Sequence, residues 1–148
     1  MIEILRGGDI QAVLRLQHRQ YLVGDLKQPQ LLEHIRDDQV EMGMTRYEAF
    51  KCEAPHDHPL VTEYQIVLKG CAKYVDLAEN RELLVDEGDV FVIRPHTPYS
   101  QKSPPGTVIL FFKHPCGNDK RLIPMTEAMK AWAASWEASW TVERSGQI

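Results

Sequence analysis

The chain has 148 residues, of which 43% are hydrophobic and 26% charged, and its formal net charge is −4. That length suits a single domain around one core, the composition is that of a globular protein, and the acidic balance gives no electrostatic reason for a nucleic-acid partner. The start MIEILRGGDI has no basic region leading into an apolar run, and no segment approaches the ~20 apolar residues of a membrane span, so a cytoplasmic protein with no membrane partner is expected.

Asp9 is placed to cap a helix through IQAVLRLQHRQYL, where Ile10, Val13, Leu14, Gln17 and Tyr21 recur at helical spacing, with Gly24 as its stop. Residues 25–39 are polar, interrupted by Pro29, and read as a covering loop with at most a short helical turn. Strand character begins near Val40. VEMGMTRYEAFKCE, TEYQIVLKGCAKYVDL, RELLVDEGDVFVIRP and GTVILFFKH are rich in β-branched and aromatic residues, and turn signals divide them at Ala54-Pro55, Glu87-Gly88 and Pro104-Pro105-Gly106. Short strands at this spacing predict an antiparallel barrel or sandwich. At the end, Met125, Met129, Trp132, Trp136 and Trp140 fall four, three, four and four apart, an apolar helical stripe behind an N-cap at Thr126. That stripe is read as core or dimer packing, and a homodimer is expected on it. Cys52, Cys71 and Cys116 are odd in number and lack CxxC spacing, so buried, reduced thiols are expected.

The chemistry concentrates in HDHPLVTEYQIVLKG. On an extended strand His56 and His58 point the same way, and Glu63 and Gln65 share a face while Tyr64 and Ile66 take the other. Pro59 permits a shift of register that returns the Glu63 carboxylate toward the imidazoles. Two imidazoles and a carboxylate suit a divalent ion such as zinc, iron, manganese, nickel or copper, and three protein ligands leave coordination positions open for substrate.

His56, His58, Glu63 and Gly70 resemble the first motif of the cupin superfamily, His-x-His, four residues, Glu, six residues, Gly, without a gap. Seventeen residues separate this motif from Gly88, which begins GDVFVIRPHTPY, a segment similar to the second cupin motif. Aligned so, Arg94 takes the usual proline, His96 the usual glycine and Tyr99 the place of the last metal-binding histidine. FFKHPCGNDK, Phe111 to Lys120, resembles the Lys-x-Pro-Gly-Gly-Asn-Asp-Lys segment that follows the barrel in a group of small bacterial cupins. The resemblance implies a mostly β, antiparallel jelly-roll barrel over residues 40–115 of a single domain spanning 1–148. Residues 1–39 form an N-terminal helical and loop segment, and 116–148 a C-terminal turn and helix.

By that resemblance His56, His58 and Glu63 would hold the metal, and Gln65 would line the cavity with them. His96 is read as a substitute ligand or proton carrier, or equally as a solvent-facing loop residue. Tyr99 is read as a packing residue with a satisfied hydroxyl or as a proton donor or substrate holder. The guanidinium of Arg94 suits an anionic substrate, although a surface ion pair is its commoner use. Cys116 to Asp119 reads as a turn without a role. The resemblance implies a small cupin with a divalent metal and a sugar-like or organic-acid ligand, an oxygenase, isomerase or decarboxylase. A metal-independent binding module, or a sugar epimerase or isomerase with histidine as base and Tyr99 as acid, is the alternative.

Overall fold

Period-two alternation becomes strand wherever its apolar phase finds a sheet to face. The computed structural model describes residues 1–141. In chain order it contains α1 (Gly7–Leu14), β1 (Arg19–Gly24), β2 (Ile35–Arg36), β3 (Glu41–Arg46), β4 (Lys51–Asp57), β5 (Thr62–Lys69), β6 (Cys71–Asp76), β7 (Arg81–Asp86), β8 (Val90–Ile93), β9 (Tyr99–Ser103), β10 (Val108–His114), β11 (Arg121–Leu122) and α2 (Glu127–Ala133). One sheet runs β2-β1-β3-β10-β5-β8 and the other β11-β4-β9-β6-β7. The pairings are antiparallel except β1 with β2, which is parallel. This is the expected antiparallel barrel. Tyr47, Ala72, Tyr74, Ile93, Tyr99 and Ile109 form its apolar core, with Val85 and Phe91 packed against it.

The turn from β5 to β6 shows why the first motif ends on glycine. Gly70 has φ +77°, and a Cβ there would lie 3.1 Å from the Thr107 Cα. Both the left-handed conformation and the close approach exclude a side chain.

The N-terminal helix ends earlier than its periodicity predicts. It covers Gly7–Leu14, its N-cap is Arg6 with no side-chain cap bond, and Asp9 sits inside the first turn. Residues 19–24 pair with β3 as a strand, because sheet hydrogen bonds and burial of alternate residues outweigh a weak helical preference. The register shifts between Tyr21 and Val23. There the Gln30 side chain stands in for a strand, accepting from Tyr21 N at 2.9 Å and donating to the Tyr21 carbonyl.

The C-terminal helix is likewise shorter. Thr126 caps it as expected, accepting from Met129 N at 3.3 Å, but it stops at Ala133, before Trp136 and Trp140. The cause is Lys102, fully buried on β9, whose ammonium donates to the carbonyls of Trp132, Ser135 and Ala138 at 2.8, 2.8 and 2.7 Å. It also lies 4.4 Å from the Trp132 ring centroid, as Lys73 lies 4.3 Å from that of Trp136. Glu82 accepts from Trp132 Nε1 and Trp140 N at 2.6 and 3.1 Å. The chain thus leaves the helix to strap the outside of the second sheet. Trp132 is buried and Trp136 and Trp140 are half-buried in this strap, so the single helical stripe expected of the three tryptophans does not form.

All three cysteines are free and half-buried, where full burial was expected. No helix among the described residues is long and apolar enough to cross a membrane.

Candidate active site

The strand register delivers the site. His56 on β4 is opposite Tyr99 on β9, Glu63 on β5 is opposite Lys113 on β10, and Gln65 is opposite Phe111. All six line one cavity of about 200 Å³, together with His58 just beyond the end of β4. As the parity argument predicts, Gln65 is buried while Tyr64 is exposed. Asp57, between the two histidines, points elsewhere, to a bidentate pair with Arg121 at 2.9 and 2.6 Å.

His56 is held in one tautomer. Its Nδ1 is 2.8 Å from the Ala54 carbonyl, which can only accept, so Nδ1 carries the proton. Burial lowers its pKa from 6.5 to about 4, so the ring is neutral near pH 7 and Nε2 keeps its lone pair. Nε2 lies 3.0 Å from the Tyr99 hydroxyl, which donates to Glu63 Oε2 at 3.1 Å. One phenolic proton therefore stands between two acceptors. Gln65 Nε2 donates to the same Glu63 oxygen at 3.0 Å, and Gln65 in turn accepts from the Tyr74 hydroxyl. Burial and then the Glu63 charge hold the Tyr99 pKa well above 10, so this phenol keeps its proton.

His58 is set up differently. Its Nδ1 is 2.7 Å from Asp119 Oδ1, and Asp119 Oδ2 accepts the N–H groups of Leu60 and Val61 at 2.7 and 3.1 Å. Burial opposes the charge on Asp119, but the Leu60 N–H, the His58 ring and the Val61 N–H outweigh it and hold the carboxyl below its usual range. An ionised acceptor fixes the proton on His58 Nδ1 and leaves the Nε2 lone pair as the ring's reactive atom.

Around these groups the wall is cationic. Arg19 pairs with Glu53 at 3.0 Å, and Lys113 stands 3.5 Å from Glu41 and 3.8 Å from Glu63. Lys120 also lines the cavity, and among the described residues its ammonium has no ion pair or hydrogen bond.

The expected ligand set comes together in one cavity without forming a metal centre. Among the described residues no three His, Cys, Asp or Glu side chains are placed to share an ion. His56 Nε2 and Glu63 Oε2 converge on the Tyr99 oxygen, while the other Glu63 oxygen faces Lys113. As arranged, His56, His58 and Glu63 do not fit a resident divalent metal.

His96 and Arg94 stand apart from this cavity. His96 is exposed with φ 61°, its backbone N–H bonded to the His58 carbonyl at 2.9 Å, so it keeps the left-handed turn of the motif's usual glycine and its ring does not reach the site. Arg94 is exposed on another hollow, beside Thr97 and Arg81. Sequence reasoning missed Arg19, which it placed in a helix, and Lys113, Asp119 and Lys120. Lys113 was legible as the polar member of the inward phase Ile109, Phe111, Lys113. Asp119 and Lys120 lie in the FFKHPCGNDK segment, whose resemblance marked it while its turn-like composition hid a role.

The structure is similar to an uncharacterised conserved protein with a double-stranded β-helix domain from Klebsiella pneumoniae, with TM-score 0.52 and 16% identity over 64% of this chain and 81% of that one. The chain has the cupin fold. The same barrel is similar to the polyketide cyclase RemF from Streptomyces resistomycificus, with TM-score 0.53 and 19% identity over 65% and 68% of the two chains. It is also similar to the Streptomyces nucleoside dehydratase Pac13, with TM-score 0.51 and 13% identity over 59% and 70%. No protein-family model and no curated protein sequence matches this chain. At these identities the likeness is one of fold.

Proposed function

We propose that this cupin is an acid–base enzyme of the lyase or isomerase type, acting on a small polar substrate within the barrel. The His58–Asp119 pair carries the reading. An imidazole whose Nδ1–H is held by the half-buried Asp119 carboxylate leaves Nε2 free to act as a general base in the cavity it lines, the arrangement that proton abstraction requires. The substrate's C–H proton passes to His58 Nε2, and the ammonium groups of Lys113 and Lys120 stabilise the negative charge left on the substrate. Tyr99, holding its proton between His56 and Glu63, keeps those two side chains in place. A cyclase and a dehydratase among the neighbours work from the same barrel, which supports a catalytic use of the pocket without carrying over a substrate.

A divalent ion is the rival reading, favoured by the lone pairs of His56 and Glu63 that share one phenolic proton. It requires the Tyr99 hydroxyl to move aside. The test is deuterium incorporation from heavy water, or elimination, across a panel of hydroxy acids, keto acids and sugars, followed by NMR. Elemental analysis is made on the same protein, purified without added metal or chelator. Turnover abolished by His58→Gln, in protein with well under one ion per chain, is expected. Turnover surviving His58→Gln, or stoichiometric metal on which activity depends, overturns the proposal.

A further inference from the structure

We infer that the substrate of this site carries a carboxylate and that Lys120 is the residue that binds it. The inference builds on the acid–base reading above, and its own ground is the charge arrangement of the cavity wall. Three cations and two anions line the cavity: Arg19, Lys113 and Lys120 against Glu53 and Glu63. Glu53 is answered by Arg19 at 3.0 Å and by Lys51 at 4.0 Å, while Lys113 lies between Glu41 and Glu63. Lys120 is left over. Its side chain is exposed at the cavity wall and its ammonium has no carboxylate partner among the described residues, while lost hydration and the charges of Arg19, Lys113 and Lys51 work against its charge more than Glu53 supports it. An unpaired ammonium beside two other cations is better accommodated once an anion arrives.

Position agrees with charge. Lys120 directly follows Asp119, so the backbone that fixes the base also fixes the start of the anion-binding side chain, and its own N–H is 3.4 Å from Asn118 Oδ1. An anion held by Lys120 and a C–H facing His58 Nε2 then belong to one small molecule. The volume of about 200 Å³ limits its size. That is room for roughly seven waters, enough for a carboxylate and a few substituted carbons. One free ammonium matches a singly charged carboxylate better than a phosphate, which commonly gathers several donors. The adjoining hollow of about 630 Å³ shares Arg19, Tyr21 and Asn118 with the cavity and offers space for a longer polar substituent.

The experiment titrates the protein with acetate and malonate, with acetamide as the neutral counterpart and inorganic phosphate as the alternative anion, at constant ionic strength. Binding is read by calorimetry and by the amide resonances of residues 118–120. Acetate or malonate should bind at that segment and acetamide should not. Lys120→Ala should weaken carboxylate binding about ten- to hundredfold, whereas Lys120→Arg should keep most of it. His58→Gln should retain carboxylate binding while losing turnover, which separates this inference from the assignment of the base. No carboxylate binding by the native protein, equal binding of acetamide, preference for phosphate, or unchanged affinity in Lys120→Ala would each overturn it.

Discussion

Asp119 binds His58 through one carboxylate oxygen at 2.7 Å and, through the other, the N–H groups of Leu60 and Val61, so a single side chain orients the imidazole and ties down the turn that follows it. In Asp119→Asn the amide oxygen can still serve those N–H groups, but its NH₂ then faces His58 Nδ1 and drives the ring proton to Nε2. The base is then blocked by its own proton. Turnover should fall by ~10²–10⁴-fold. The ¹⁵N shifts of the ring report the tautomer directly, and an unchanged tautomer in Asp119→Asn would refute the role given to the carboxylate.

His56 makes folding sensitive to acid. Its folded pKa of about 4 lies below the unfolded value near 6.5, so in that window the unfolded chain takes up a proton that the folded chain refuses. Stability from this residue is complete above pH 6.5, declines as the pH falls and levels off near pH 4, a loss of ~3 kcal/mol at most. Urea unfolding as a function of pH should show this slope, and His56→Gln should flatten it.

Tyr99→Phe removes the only proton between His56 Nε2 and Glu63 Oε2. His56 Nε2 is then left without a donor and Glu63 Oε2 keeps only that of Gln65, which should cost ~1–3 kcal/mol in chemical denaturation. Turnover should fall less than in Asp119→Asn. A larger fall, with stability unchanged, would make Tyr99 the proton donor.

Gly43 and Phe111 pair across β3 and β10, and a Cβ on Gly43 would lie 2.2 Å from the Phe111 Cζ. The Phe111 ring lines the cavity, so Gly43→Ala must push it from its place. A destabilisation of ~1–3 kcal/mol is expected, with weaker ligand binding in the same variant. Thermal unfolding and calorimetry measure the two effects.

Lys102→Met should release the C-terminal strap, because three buried or half-buried carbonyls lose their common donor. The cost should be about 2–4 kcal/mol. Hydrogen exchange should quicken over residues 127–141 before it does over the barrel strands. Uniform exchange across the chain would mean that the strap and the barrel unfold together.

The pattern of residues from Val40 to His114 was sufficient for the cupin barrel, since alternation with period two decides which side chains can face a common interior, and His56, His58, Glu63 and Gln65 meet there as their parity requires. Gly70 was legible for the same local reason, the conformation of a single turn. Helix lengths were not. Arg19 to Gly24 became strand because β3 lay alongside, and the helix after Thr126 ended at Ala133 because Lys102, from a distant strand, took its carbonyls. The site's chemistry depended on tertiary placement still more. His58 acquires its base geometry from Asp119, and Lys120 becomes the uncompensated cation only because Arg19 and Lys113 are matched with carboxylates on other strands. Spacing in a sequence reports which face a residue takes, whereas tautomers, ion pairs and a missing counter-charge depend on groups brought together through space by the closing of the barrel.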